Sequence, residues 1–287
     1  MIKQSKGNRV FQVINWIIMF IVIICTLVPY LNILAKSFSS TAAIYNYQVS
    51  IWPVGVNVET YAQIVKQSIF WIDYRNTVLY TVAGTLISLI LTSILAYALS
   101  VERLKFRNFF TMLVVITMFF SGGIIPNFIL VKSLGMYNTV WAVLLPGAVS
   151  AFYVIVMRTF FQGIPNELEE AAQVDGMSTY GLFIKIIIPL SKPIIATMVL
   201  FMAVGGWNAW FGPFLYLSNS NMQPVAVFLR NVIAGSTVAN SDPTSANLIS
   251  ANVKSVCIVL TSIPIICVYP FLQRYFVNGV MIGSLKG

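Results

Sequence analysis

The sequence predicts an all-α protein whose helices cross a membrane. Of its 287 residues, 58% are hydrophobic and 9% charged, with a mean hydropathy of +0.85. That balance is too apolar for an ordinary soluble domain. The apolar residues fall in long continuous runs, whereas a membrane β-barrel shows short segments of alternating polarity. The eight carboxylates stay out of those runs.

Crossing a hydrocarbon core takes roughly 20 apolar helical residues, and six runs reach or approach that length, at about 10–35, 78–99, 109–131, 140–161, 194–217 and 256–271. The first is too long for the apolar core of a signal peptide and has no small-residue cleavage site after it, so it reads as a retained span. The third carries Gly122, Gly123 and Pro126, the fourth Pro146, the fifth Gly205, Gly206, Gly212 and Pro213, and the sixth Pro264. Such helix breakers are tolerated where backbone lines a cavity or lies buried in protein; ordinary packing variety accounts for them equally well.

Six spans put both ends on one side, and Lys and Arg choose it, since cytoplasmic flanks carry their excess. With the N-terminus inside, Lys3, Lys6, Arg9, Arg103, Lys105, Arg107, Arg158, Lys185, Lys192, Arg274 and Lys286 face the cytoplasm, against Lys36, Lys66, Arg75, Lys132, Arg230 and Lys254 outside. The net charge of +9 then suits anionic membrane lipids, with no nucleic acid implied. Glu59, Asp73 and Asp242 fall in outer loops and Glu102 in an inner loop, while Glu167, Glu169, Glu170 and Asp175 share one cytoplasmic loop. Ion-coupled transporters keep ionisable groups within their spans, so a secondary transporter lacks its coupling groups here.

Several chemistries are excluded. There is no His, hence no His triad, relay or metal site. Cys25, Cys257 and Cys267 fall inside spans and suit apolar packing, with no disulfide framework or zinc spacing. No phosphate-binding Walker A sequence is present, so any ATP that drives the protein is bound by another chain.

The loop from Glu167 to Pro193 reads ELEEAAQVDGMSTYGLFIKIIIPLSKP. Asn166 is placed as an N-cap with Glu169 three residues on, an Asn version of the capping box. Glu167, Glu169 and Glu170 occupy the first turn, at the positive end of the helix dipole. Leu168, Ala171 and Ala172 share a face by i, i+3, i+4 spacing, small enough for a partner to approach closely. Gly176 suits a left-handed helix end. A second helix over about 178–187 is stopped by Pro189. On helix chemistry alone a simple connector is an equal reading.

The spacing of Glu170, Ala171, Ala172, Gly176, Ile186, Ile188 and Pro189 closely resembles the EAA loop by which permeases of bacterial ABC importers dock on their ATPases. The resemblance extends to segments 121–126 (SGGIIP), 134–139 (LGMYNT), Ile164 with Pro165, Trp207 with Asn208, and 276–287 (FVNGVMIGSLKG). These look like the sugar-importer branch, near the smaller permease of the maltose importer and nearer to permeases for complex oligosaccharides. Ile188 stands where that family usually has Leu, and Arg75-Asn76-Thr77 matches its Asn-Ser only loosely.

The resemblance implies a type I importer permease over residues 1–287, a non-catalytic subunit in a bacterial cell membrane. Residues 162–193 would be the coupling loop, with Glu167, Glu170, Ala171, Ala172, Asp175, Gly176 and Pro189 coupling to the ATPase. Residues 218–251 would be an outer loop facing the binding protein, and 276–287 a cytoplasmic tail reaching between the ATPases. The partners implied are a sibling permease, two ATPase subunits that bind ATP and Mg, an extracytoplasmic solute-binding protein and an oligosaccharide. This chain would bind no cofactor. Within the outer loop, 224–233 (PVAVFLRNVI) is apolar enough for a short interfacial helix. Asn127, Tyr153, Trp207 and Asn208 supply the aromatic faces and amides that sugars favour, with core packing as the competing role. A purely structural membrane subunit is the remaining alternative class.

Overall fold

The computed structural model of the chain describes residues 6–241 and 252–284, with backbone alone at residues 6, 236–241, 269 and 271–284. Lys3, Asp242 and Lys286, residues 242–251 of the expected outer loop and 285–287 of the expected tail lie outside the described residues, and Lys6 and Arg274 are described by backbone only. Every regular element among the described residues is helical.

Helix α1 (Lys6–Ser37) is apolar on all sides. Its large side chains from Val10 to Ile24 are 43–77% exposed, the pattern of a helix meant for hydrocarbon or for another chain. Short helices α2 (Thr41–Tyr45) and α3 (Glu59–Val65) follow, then α4 (Ser68–Ser100) of 33 residues. At about 1.5 Å per residue α4 exceeds a bilayer core. It also begins ten residues before the expected span. Asp73, expected in an outer loop, therefore sits inside α4, 3% exposed with Oδ1 lacking a hydrogen-bond partner. Hydropathy dips there, but the helix continues because its polar side chains are buried against other elements.

The third, fourth and fifth apolar runs are broken. Helices α5 (Arg107–Phe119) and α6 (Ile124–Ser133) meet at 114°, with Gly123 at φ +82° between them, a conformation costly to side-chained residues. Helix α7 (Trp141–Leu144) is separated from α8 (Ala151–Phe161) by Pro146 and by Gly147 at φ +76°. Next come α9 (Asn166–Val174), α10 (Thr179–Leu182), a π-helical turn Phe183–Ile187 and α11 (Ile188–Leu190). Helices α12 (Lys192–Trp207) and α13 (Phe211–Tyr216) divide the fifth run. Gly205 and Gly206 lie within α12, and Gly212 and Pro213 within α13, so the break falls between these pairs. After a 3-10 turn Ser220–Met222 come α14 (Val225–Ser241) and α15 (Val253–Ser284). Pro264, expected as a breaker, lies inside α15, which continues past it.

Among the described residues, Gly7–Ser37 and Ser68–Ser100 are each long and apolar enough to cross a bilayer, and the bent pairs Arg107–Phe119 with Ile124–Ser133 and Thr179–Leu190 with Lys192–Trp207 pass the same test jointly.

The chain divides into two compact units, Met1–Ser68 with Leu229–Ile263, and Ile69–Phe228 with Pro264–Gly287. In the first, buried Asn252 bridges Thr60 Oγ1, which donates to its Oδ1 at 2.9 Å, and the Ser39 carbonyl. In the second, Ala96, Tyr97, Leu99, Val154, Met157, Phe161, Ala172, Leu182, Ile187, Met198 and Met202 form one core. That core joins α4, α8, α9, α10, the π turn and α12, so the segment after α8 is packed onto α4, α8 and α12.

Candidate functional site

Helix α9 differs at its start from the capping box the sequence suggests. Pro165 is the cap residue, Asn166 is the first helical residue, and no side chain caps the N-terminus. The carboxylate that was to complete the box is engaged elsewhere. Glu169 Oε1 accepts from the Tyr97 hydroxyl at 3.3 Å and from Arg103 Nη2 at 3.2 Å. Glu167 and Glu169 lie in the first turn, where the helix dipole favours them, whereas Glu170, expected there too, falls beyond it because the helix begins at Asn166.

The C-terminus is closed as the sequence suggests. Gly176 has φ +75°, its amide bonds the Gln173 carbonyl at 3.0 Å, and the Met177 amide bonds the Ala172 carbonyl at 2.9 Å. This is a Schellman arrangement. No atom lies within 4 Å of where a Cβ would stand at Gly176, so backbone conformation, not space, selects glycine.

The two alanines part company. Ala172 is 5% exposed within the core formed with Tyr97, Phe161, Leu182 and Ile187, while Ala171 is exposed together with Glu167, Glu170, Asp175 and Gly176. Sequence spacing had grouped both alanines toward a partner; helix rotation sends Ala172 inward, where its small side chain permits close packing within the chain. Val174, 88% exposed, and Tyr180, 82% exposed, add apolar surface to the outward face.

Ser178 caps the following helix, accepting from the Gly181 amide at 3.2 Å. Pro189 does not stop it. The widened π turn precedes the proline, which lacks the amide a regular turn would need, and the helix ends at Leu190. The chain then bends by 82° at buried Ser191 into α12.

Three arginines gather at the end of α4. Arg158 Nε donates to the Leu99 carbonyl at 2.9 Å and Arg107 Nη1 to the Ser100 carbonyl at 3.4 Å, satisfying carbonyls that a helix end leaves unpaired and that favour cations. Arg103 reaches Glu169 instead. Sequence reading passed over Tyr97 and took Arg103 only as a cytoplasmic cation, since neither carries a local motif.

The four path candidates lie on three elements. Asn127 is exposed on α6. Tyr153, on α8, is half-buried against the core that contains Ala172. Trp207 stands edge-on to Tyr74, with centroids 5.6 Å apart, and borders a cavity of about 250 Å³ walled by Val78, Val82, Leu200, Val204 and Pro264. Thr81, whose Oγ1 is buried without a partner, is its one hydroxyl-bearing wall residue. Asn208 Nδ2 donates to the Val204 carbonyl at 2.9 Å, which leaves its Oδ1 as the free acceptor.

The segment 218–224, expected to be irregular, is pinned by side chains. Asn138 Oδ1 accepts from the amides of Ser218 and Asn219 at 3.1 and 3.0 Å. Asn76 Nδ2 donates to the carbonyls of Asn221 and Gln223 at 2.8 and 3.1 Å, and Tyr80 donates to that of Met222 at 2.8 Å. The Val225 amide donates to Thr77 Oγ1 at 2.7 Å. The expected short helix over 224–233 is observed as α14, extended to Ser241. Among the described residues no three Cys, Asp or Glu side chains gather as a metal ion would need.

Residues 97–282 match the family described as binding-protein-dependent transport system inner membrane component. The chain is 40% identical to protein LplC of Bacillus subtilis, over 99% of this chain and 97% of that one. It is 38% identical to the polygalacturonan/rhamnogalacturonan transport system permease protein YtcP of the same organism, over 98% and 99%. Identity is 30% to the arabinooligosaccharides transport system permease protein AraQ of Halalkalibacterium halodurans, over 90% and 91%. Among solved structures, it matches a chain in the crystal structure of a bacterial ABC transporter involved in the import of the acidic polysaccharide alginate, with a TM-score of 0.85 and 33% identity over 96% of this chain and 100% of that one.

Proposed function

The chain belongs to the binding-protein-dependent transport system inner membrane components, and from that premise we propose that it is one of two permease subunits of an ATP-driven oligosaccharide importer. It is a membrane permease with the all-helical type I fold. The relatives named for polygalacturonan, rhamnogalacturonan and arabinooligosaccharides, and the alginate transporter, support an oligosaccharide as cargo. ATP and Mg are held by two partner ATPase subunits, so this chain does no chemistry itself. A sibling permease completes the path, and an extracytoplasmic solute-binding protein delivers the sugar.

In this reading α1, α4, α5 with α6, α7 with α8, α12 with α13, and α15 are the six spans, with both ends in the cytoplasm. Residues 162–193 form the coupling loop, 218–251 face the binding protein, and 276–287 are the tail. Helix α9 seats in the ATPase through its outward face of Glu167, Glu170, Ala171, Asp175 and Gly176, with Ala172 anchoring it from behind and Pro189 in the return helix. Asn127, Tyr153, Trp207 and Asn208 remain the proposed contributors to the sugar path.

The observation that carries the reading is the two-sided character of α9. One side is buried in the chain's own core at Ala172, and the other exposes acids beside bare Val174. Such a helix receives force on one side and passes it to the spans on the other.

Co-expression with the sibling permease and the ATPase of the same organism tests this. The ATPase is expected to co-purify with the unmodified chain and to be lost with Ala171→Arg, while the two permeases stay associated. Retention of the ATPase by that variant would remove α9 as the docking element.

A further inference from the structure

We propose that Glu169 is a positioning residue whose bond to Arg103 locks the rotation of α9 relative to α4, so that movement of the coupling helix reaches α4 undiminished. This rests on the reading of α9 as the coupling helix.

Glu169 and Ala172 stand three residues apart, on one face of a helix. Ala172 fixes α9 to the core by packing, which resists separation but leaves the nine-residue helix free to roll about that point. Glu169 supplies the second point of attachment. Its Oε1 takes both the Arg103 guanidinium and the Tyr97 hydroxyl.

Both donors are themselves fixed to α4. Tyr97 is 7% exposed, stacked on Phe183 with centroids 5.0 Å apart and edge-on to Phe161 at 6.3 Å. Its ring is thus clamped between the π turn and α8. Arg103 lies three residues beyond the last residue of α4, and the turn that carries it is held by Arg107 on the Ser100 carbonyl and by the Ser100 hydroxyl on the Tyr97 carbonyl at 2.7 Å.

Exposure separates this acid from its neighbours. The Glu169 side chain is 21% exposed, whereas Glu167, Glu170 and Asp175 are exposed and available to another chain. Arg103 is 50% exposed, so the pair adds little to overall stability. Its consequence is directional: it decides which face of α9 points outward.

The test uses the assembled transporter, with spin labels at Gln173→Cys on α9 and Leu91→Cys on α4, both exposed positions, in a background lacking Cys25, Cys257 and Cys267. Distances are read by double electron–electron resonance with and without AMP-PNP and Mg. With Glu169 intact, a single narrow distribution is expected in both conditions. Glu169→Gln and Arg103→Gln should each widen it about twofold, while ATPase co-purification and basal hydrolysis stay within about twofold, as suits a half-exposed pair. The exchange Glu169→Arg with Arg103→Glu should restore the narrow distribution, which a variant that merely loosens the fold would not do. An unchanged distribution in both single variants overturns the proposal, and so does loss of the ATPase with Glu169→Gln, which would make Glu169 itself a docking contact. Failure of the ATPase to co-purify with the unmodified chain would instead overturn the coupling reading.

Discussion

The two ends of α4 hold their neighbours by opposite means. Near its start, Asn76, Thr77 and Tyr80 are 5%, 1% and 9% exposed and grip residues 221–225 through neutral hydrogen bonds of 2.7–3.1 Å. Near its end, Tyr97 and Arg103 hold α9 through one carboxylate at 3.2–3.3 Å, with the arginine half in solvent. Buried neutral bonds are expensive to break because each leaves an unpaired group away from water. A part-solvated ion pair adds little to stability, so its effect is on orientation. The start of α4 is therefore tied by buried neutral bonds, and its end by a single charged group on α9.

The largest expected effect separates the packing of α9 from its ion pair. Ala172→Arg places a guanidinium in the core of Tyr97, Phe161 and Leu182 with no acceptor provided, a cost of at least about 3 kcal/mol. Loss of the monodisperse peak in detergent size-exclusion chromatography is expected. Ala171→Arg, one residue away on the exposed face, should keep that peak. Similar behaviour of the two variants would break the two-sided picture of α9.

The next effect tests the start of α4. Thr77→Val strands the Val225 amide, and Asn76→Leu strands the carbonyls of Asn221 and Gln223, costing about 1–3 kcal/mol for each group left buried and unpaired. A lowered melting temperature in both, with unchanged ATPase co-purification, is expected. Impaired docking without a change in melting temperature would erase the contrast between the ends.

Much of this was legible locally. Continuous apolar runs gave the helices, Gly123 and Pro146 marked two of the breaks, and Gly176 announced the close of α9. What was not legible came from distant partners. Glu169 resembled half of a capping box because Arg103, 66 residues earlier, cannot be paired with it by spacing. Asn76 and Thr77 fell outside the expected span because the bonds that hold them come from a segment some 145–148 residues away. Pro189 resembled a stop because sequence does not disclose that a π turn will accommodate it.

A smaller effect is expected at the close of α9. Gly176→Val forces a β-branched residue to φ +75° with free space around it, so the cost is conformational alone, about 1–3 kcal/mol. Gly176→Asn, which tolerates that region better, should recover most of the lost melting temperature. If both variants fall equally, an unseen steric contact rather than backbone conformation governs the site.

The smallest effect sharpens the comparison most, because it asks whether the hydroxyl and the guanidinium act through the same carboxylate. Tyr97→Phe removes one 3.3 Å bond to Glu169 while the ring keeps its stack on Phe183, so the loss is about 0.5–1.5 kcal/mol. In a Glu169→Gln background the same change should cost measurably less, since the acceptor charge that strengthens the bond is gone. The difference between the two backgrounds is the interaction energy of the pair, free of packing contributions common to both. Equal costs would assign the hydroxyl to packing or to water, and would leave Arg103 as the polar tie between the end of α4 and α9. At the start of α4, by contrast, Tyr80→Phe frees a part-buried Met222 carbonyl and should lower stability whatever residue stands at 169, because no charge there is involved.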